Sequence, residues 1–280
     1  MNIEPKAMTP LRYPGGKSKV IKKVLSPLFP EFSGSFFEPF IGGGSVALWV
    51  AQMYPEKKIY VNDINPKLTN FWKVLKSNSE DLVAELHIIR DSYDPFNLDD
   101  GKALLIEEQE VLYGEKNELR LATAYYVLNK ISFSGLTEHG SISKLAYEKT
   151  FNHGNIDRLT EISTYMKNFD ISTMDFARFM SRVQANDFTF LDPPYLIESS
   201  NLYGKNGELH EGFNHEAFFE SVNSLKGKWM ITYNDCEWIR ESYKDYNIID
   251  QEYRYSMAFD TDDNGNKKTK MKNELIITNY

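Results

Sequence analysis

Apolar and polar residues along this chain follow two different periods. Short apolar runs of strand length occur at Phe36-Phe37, at Lys58–Asn62 (KIYVN), at Phe188–Leu191 (FTFL), at Trp229–Thr232 (WMIT) and at Leu275–Thr278 (LIIT). Between them Ser45–Met53 reads as a helix, and Pro66–Lys76 sets Leu68, Phe71, Trp72 and Leu75 at helical spacing. Strands alternating with helices predict an α/β fold, a mainly parallel sheet with helices on both faces. From Glu80 to about Asn168 the pattern changes. It is helical and charged first, then polar and glycine-bearing from Ser132 to Asn155, with no strand series. We read 77–168 as a mainly helical insertion dividing a discontinuous domain, 1–76 and 169–280. Asp260–Lys272 reads as a mobile loop.

The 280 residues are 41% hydrophobic and 26% charged, enough for a sizeable core and unlike a disordered or coiled-coil chain. No apolar run reaches membrane-spanning length and no secretion signal opens the chain, so a cytoplasmic protein without a membrane partner is expected. The single cysteine, Cys236, excludes a disulfide framework and a cysteine-built zinc site. His87, His139, His153, His210 and His215 show no metal-ligand spacing, so no metal is expected. Net charge is −8, but it is unevenly spread. Glu80–Arg120 holds twelve acidic and four basic residues, whereas Met1–Pro30 holds six basic and one acidic. Local potential therefore permits a polyanionic partner that the net charge disfavours.

The strongest chemical signal is Asp192-Pro193-Pro194-Tyr195, directly after an apolar strand. At average composition this tetrapeptide arises in roughly one chain of this length in a thousand. Two prolines fix the backbone and remove two amide donors at the strand's carboxyl end, the edge where open α/β sheets place ligands. A carboxylate, a carbonyl and an aromatic face in one rigid turn suit a planar substrate bearing an amino group. A second signal is Phe40-Ile41-Gly42-Gly43-Gly44-Ser45, which opens a helix and lets backbone approach a ligand closely. Asp63 follows nineteen residues after Gly44, at the end of the next strand. That is the position from which an acid bonds a ribose hydroxyl, so an adenosine-containing cofactor is expected. A third, Leu11-Arg12-Tyr13-Pro14-Gly15-Gly16-Lys17-Ser18-Lys19, lacks the first glycine of a phosphate loop. It reads otherwise as a basic arm with solvated lysines.

Together these motifs resemble the Dam-like family of adenine-specific DNA methyltransferases, in the family's order and over nearly the whole chain. Lesser matches are Asn129–Leu136, Asp175-Phe176, Gly212-Phe213, Ile231–Asp235 and Glu274–Asn279. Tyr13 stands where Dam has tryptophan, and the region after Asn129 differs from members that read GATC. The resemblance implies a Rossmann-like sheet that binds S-adenosylmethionine and releases S-adenosylhomocysteine. Tyr13, Gly15 and Lys17 would line the cofactor site; Phe40, Gly42, Gly44 and Ser45 would pass under the methionine part. Asp63 would hold the ribose, and Asp175 and Phe176 would read and cover the adenine. Asp192, which also borders the cofactor, and the Pro193 carbonyl would accept the target amino hydrogens, while Tyr195 stacks on a flipped base.

The partner so implied is double-stranded DNA, bound by the recognition insertion 77–168 and read by Ser132–Asn155 rather than by the acidic helices before it. We expect base and phosphate contacts from Asn129, Ser134, Lys144, Tyr147 and Lys149, with Phe133 or Tyr147 filling the gap left by the base. A cognate restriction endonuclease is a further expected partner, and a monomer or weak dimer the expected state. Enzymes acting on cytosine amino groups, RNA or protein glutamine more often carry Ser or Asn before the prolines. A silent DNA-binding module of the same fold is the rival from another class, opposed by the intact Asp63, Asp192 and Tyr195. An unrelated α/β enzyme with an adenosine cofactor would make the tetrapeptide accidental.

Overall fold

The computed structural model describes residues 4–138, 140–196, 213–261 and 267–280, with the backbone alone for 252–272. Strands β1 (Phe36–Glu38), β2 (Ile59–Asn62), β3 (Phe169–Ser172), β4 (Phe188–Leu191), β5 (Lys228–Asn234), β6 (Asn247–Thr261) and β7 (Lys267–Thr278) form one sheet. Its order is β3-β2-β1-β4-β5-β7-β6. The pairs among β1 to β5 are parallel; β7 runs antiparallel to both β5 and β6. The α/β class expected from the sequence is thus the observed one.

Helices on both faces explain why the central strands are unbroken apolar runs: all four residues of β4 are buried. Side chains alternate across the sheet. Phe188, Phe190, Met230 and Ile276 join the core on one face, and Leu191, Ile231, Leu275 and Ile277 the core on the other. Helix α1 (Ser45–Met53) starts at Gly44 and is buried from Ser45 to Ala51. Helix α2 (Pro66–Ser77) starts where Asn65 Oδ1 accepts from the amides of Lys67 and Leu68, with Pro66 pre-set for the first turn.

The stretch expected to be helical is so, as α3 (Ser79–Asp91), α4 (Leu98–Gly114), α5 (Glu118–Ile131), α6 (Lys144–Thr150) and α7 (His153–Tyr165). Side-chain caps from Asn97, Asn117, Ser143 and Asn152 start α4 to α7. Leu82, Leu104, Tyr126 and Leu159 from these helices share one continuous core with Phe71 and Trp72 of α2. Helix α5 is its axis, buried at every position from Ala122 to Ile131.

One expectation needs correction. Asp260–Lys272 is not simply a loop: Asp260 pairs with Lys268 and Thr261 with Lys267, and only 262–266 lie outside the described residues. Helix α6 occupies part of the polar, glycine-bearing stretch from Ser132 to Asn155. Within the acidic stretch Glu108 is buried and takes a two-pronged bond from Arg120 at 2.6 and 2.8 Å. The short strand β3 and the long strand β6 were not foreseen.

Strand order reverses between β1 and β4, with β2 on one side and β5 on the other. A crevice at the carboxyl ends of β1 and β4 follows from that switch in connection.

Candidate active site

The crevice is a cavity of about 430 Å³, within the range of small-molecule sites. Every residue expected at the cofactor and the reacting base lines it: Tyr13, Gly15, Lys17, Phe40, Gly42, Gly44, Ser45, Asp63, Asp175, Phe176, Asp192, Pro193 and Tyr195. The topology gathers them from five places along the chain.

The glycine turn after β1 is shaped by its neighbours. Gly42 (φ 45°) and Gly44 (φ 69°) take left-handed conformations. A Cβ at Gly42 would lie 2.8 Å from the Tyr13 ring, and one at Gly44 2.5 Å from Trp72. Trp72 Nε1 donates to the Gly42 carbonyl at 3.1 Å, holding the turn from below. Asp63, buried at the end of β2, accepts from Gly42 N at 3.2 Å and from Asn65 N at 3.0 Å. Burial pushes its carboxyl up to about 6, while amides of Asn65, Gly42 and Ile64 pull the other way. One acid thus joins the glycine turn to the start of α2.

Opposite stands an aromatic wall. Phe176, following the Asp175 cap of helix α8 (Phe176–Met180), lies 6.0 Å from Phe40 and 5.3 Å from Phe213 between ring centroids.

The Asp192-Pro193-Pro194-Tyr195 turn leaves β4 beside these groups. Asp192 Oδ1 accepts from the Thr232 hydroxyl at 2.7 Å, and Oδ2 from Lys17 Nζ at 2.8 Å. Asn234 pins the turn on its far side, accepting from Leu196 N at 2.9 Å and donating to Leu196 O at 3.0 Å. Lys17 is not a solvated arm residue, as its side chain is only 4% exposed.

Three residues at the site were given no role by the sequence reading, although Thr232 and Asn234 lie inside the Ile231–Asp235 match. Thr232 and Asn234 on β5 hold the Asp192–Tyr195 turn from a neighbouring strand. Glu38, the last residue of β1, is buried on the cavity wall. Its Oε2 has no hydrogen-bond partner among the described residues, and burial together with nearby Asp192 raises its carboxyl well above the usual range. A buried carboxyl oxygen without a partner costs free energy that a hydrogen-bond donor brought by a ligand would offset. The signal for Glu38 and Thr232 was a polar residue interrupting an apolar run.

The expected DNA contacts divide. Asn129 is fully buried: its Oδ1 accepts from Arg12 N, and its Nδ2 donates to Arg12 O and Gly135 O at 2.9 and 3.0 Å. Tyr147 is 1% exposed and donates its hydroxyl to Asp94 O. Contact with DNA at these two positions is therefore corrected to a structural role. Lys144 and Lys149 are exposed on α6, and Phe133 is 61% exposed. Phe133 precedes Ser134, which adopts a left-handed φ of 55°. Of the histidines, His139 and His210 lie outside the described residues, as does Gly212. Among the described residues no group of histidine, cysteine and carboxylate side chains has metal-binding geometry, and no helix is long and apolar enough to cross a membrane.

Known proteins with similar sequences bear on this site. A family model described as D12 class N6 adenine-specific DNA methyltransferase matches residues 13–257. The type II methyltransferase M1.LlaDCHI of Lactococcus lactis subsp. cremoris is 30% identical over 286 residues, covering 96% of this chain and 94% of the relative. The type II methyltransferase M.MjaIII of Methanocaldococcus jannaschii is 28% identical over 196 residues, covering 66% and 68%. A DNA adenine methylase of Haemophilus influenzae is 21% identical over 285 residues, covering 95% and 92%.

Proposed function

Because the chain belongs to the D12 class N6 adenine-specific DNA methyltransferase family, we propose that its cavity holds S-adenosylmethionine and that Asp192, Pro193 and Tyr195 receive a flipped adenine. One observation carries this reading: the Asp192–Tyr195 turn and the glycine turn with Asp63 open onto the same cavity.

The residues fit the cofactor. Asp63 would meet the ribose hydroxyls, Asp175 and Phe176 the adenine ring, and Phe40 with the Gly42–Ser45 turn the methionine part. Glu38 Oε2, without a hydrogen-bond partner among the described residues, would be satisfied by the amino-acid end of such a cofactor. When bound, S-adenosylmethionine supplies a methyl group on a positively charged sulfur.

What the protein adds is position and charge. Asp192 and the Pro193 carbonyl accept the two amino hydrogens of the adenine, which draws the nitrogen lone pair out of the ring and toward the methyl carbon. Tyr195 stacks on the base. Direct displacement of this kind needs no covalent enzyme intermediate and draws its rate from orientation and fixed dipoles. The amino group is inaccessible inside a duplex, so the base leaves the stack first.

Recognition of the duplex falls to 77–168 in this reading, with Lys144 and Lys149 on phosphates, Ser134 near base edges and Phe133 as the wedge. Type II relatives support a partnership with a restriction endonuclease. The test is expression in a host lacking adenine methylation, followed by sequencing for N6-methyladenine. A single short methylated motif is the expected result. No methylation by a folded protein that binds S-adenosylmethionine would overturn the assignment.

A further inference from the structure

At the base subsite the reaction as described gives the buried cation Lys17 no task. Lys17 Nζ bonds Gly15 O at 2.7 Å, Asp192 Oδ2 at 2.8 Å and the Tyr195 hydroxyl at 3.1 Å. An ammonium has three N–H donors, so all three are engaged. The same nitrogen lies 5.3 Å from the centroid of the Tyr195 ring. Asp192's other oxygen is taken by Thr232 at 2.7 Å. The carboxylate oxygen and the aromatic ring assigned to the target base are therefore both engaged by a cation of the chain itself.

We propose that Lys17 is a displaceable plug of the base subsite: its ammonium stands in for the adenine amino group between Asp192 and Tyr195 until the flipped base drives it out. This rests on Asp192 and Tyr195 being the base-binding pair. Ammonium and adenine amino groups donate N–H bonds to the same oxygen lone pairs, so one can replace the other. In the resting protein a half-buried carboxylate without a cation would be costly, and the lysine offsets that cost. With the ammonium in place the carboxylate's charge is cancelled, and it polarises a neighbouring amino group weakly. Departure of the ammonium restores the full negative charge when the base arrives. The means of departure are local. Lys17 opens a short helical turn after Gly15 (φ 74°) and Gly16, and its four-carbon stem is flexible. The plug makes base entry a competition, so that an incorrectly presented base meets an occupied site.

Two measurements test this on the full chain, with S-adenosylhomocysteine bound for the spectra and binding and S-adenosylmethionine for turnover. The probes are a duplex carrying the methylated motif and the same duplex with the target base removed. In wild-type protein the 15N signal of the Lys17 ammonium should shift with the adenine duplex and stay in place with the abasic one. In Lys17→Met, the preference for the adenine duplex over the abasic one should rise about tenfold, as expected for a charge-assisted hydrogen bond no longer to be broken. The KM for duplex should fall with it. A Lys17 signal indifferent to the adenine duplex overturns the plug. So does a Lys17→Met variant that loses kcat with an unchanged adenine-to-abasic ratio, which would make Lys17 an orienting partner of Asp192. Methylation of the adenine duplex by wild type is followed in parallel. Its absence refutes the function, whereas methylation with an unmoved Lys17 refutes the plug alone.

Discussion

Replacing Asp192 by asparagine is the most discriminating perturbation of the site. Asparagine keeps the shape of the side chain and an oxygen for the Thr232 hydroxyl, 2.7 Å away in the native protein. It removes the negative charge and one strong acceptor. A preorganised contact to developing charge is worth about two to three orders of magnitude in rate, or about 3–4 kcal/mol. Alanine confounds that measurement. It strands the Lys17 ammonium, whose side chain is 4% exposed against 22% for Asp192. Breaking a fully buried pair costs about 3–5 kcal/mol, and partial exposure of Asp192 reduces this to about 2 kcal/mol, a loss of several degrees in Tm. The assay is single-turnover transfer of labelled methyl to a duplex bearing the mapped motif, with S-adenosylmethionine affinity measured by calorimetry. Asp192→Asn should transfer about 10²–10³ times more slowly with cofactor affinity within a few-fold of wild type. A rate within tenfold of wild type, or a cofactor affinity lost in step with the rate, would refute the assignment.

Other outcomes follow from the same geometry. Asp63→Ala should weaken S-adenosylmethionine by about 1–3 kcal/mol in calorimetry, and unchanged affinity would remove Asp63 from the site. Burial raises the Asp63 carboxyl from 3.8 to about 6, so cofactor affinity should fall about tenfold per pH unit below 6. In the cofactor-free protein the folded state holds a proton there that the unfolded chain has released. Its contribution to stability is therefore full below about pH 4, declines as pH rises to 6 and is flat above; Asp63→Asn should abolish that slope in Tm. Gly44→Ala forces a Cβ to within 2.5 Å of Trp72 at a left-handed φ, and thermal melts should show a loss of about 2 kcal/mol or more. Lys149→Ala should lower the slope of log affinity against log salt by about one unit. Asn129→Ala should instead lower Tm through the loss of three buried hydrogen bonds, at about 1 kcal/mol or more each.

The catalytic half was legible because its signals are local. Phe188–Leu191 is a buried parallel strand, and such strands read as continuous apolar runs; the two prolines and three glycines mark its turn and the next. Ser45–Met53 begins and ends where the helix does. Strand β3 was hidden because it is an edge strand: of Phe169–Ser172 only Phe169 is fully buried, so its pattern is half polar. Strand β6 is an edge too, and its paired backbone leaves little trace in side-chain hydrophobicity. Asn129 and Tyr147 were misjudged for another reason. A polar or aromatic residue in a polar stretch looks available to a partner, and only the packing of α5 and α6 reveals which way each is turned. Glu38 and Thr232 show the converse, since each is a polar residue inside a strand where an apolar one would fit, and each serves the cavity.

Asn129 has a consequence for how such enzymes can be re-engineered. Its side chain clasps the backbone of Arg12 on both sides and the carbonyl of Gly135, while the Arg12 guanidinium bonds the carbonyls of Lys130 and Ser132 at 3.2 and 2.8 Å. Gly135 sits so close that a Cβ there would lie 2.2 Å from Arg12 O. The arm that carries Tyr13 and Lys17 and the turn that carries Phe133 are thus one mechanical part, although more than a hundred residues separate them in the chain. Grafting a relative's 132–155 segment alone would mate a foreign turn to a native arm. A folded chimera has to exchange residues 9–19 along with it, so that the arm and the turn are inherited as a unit.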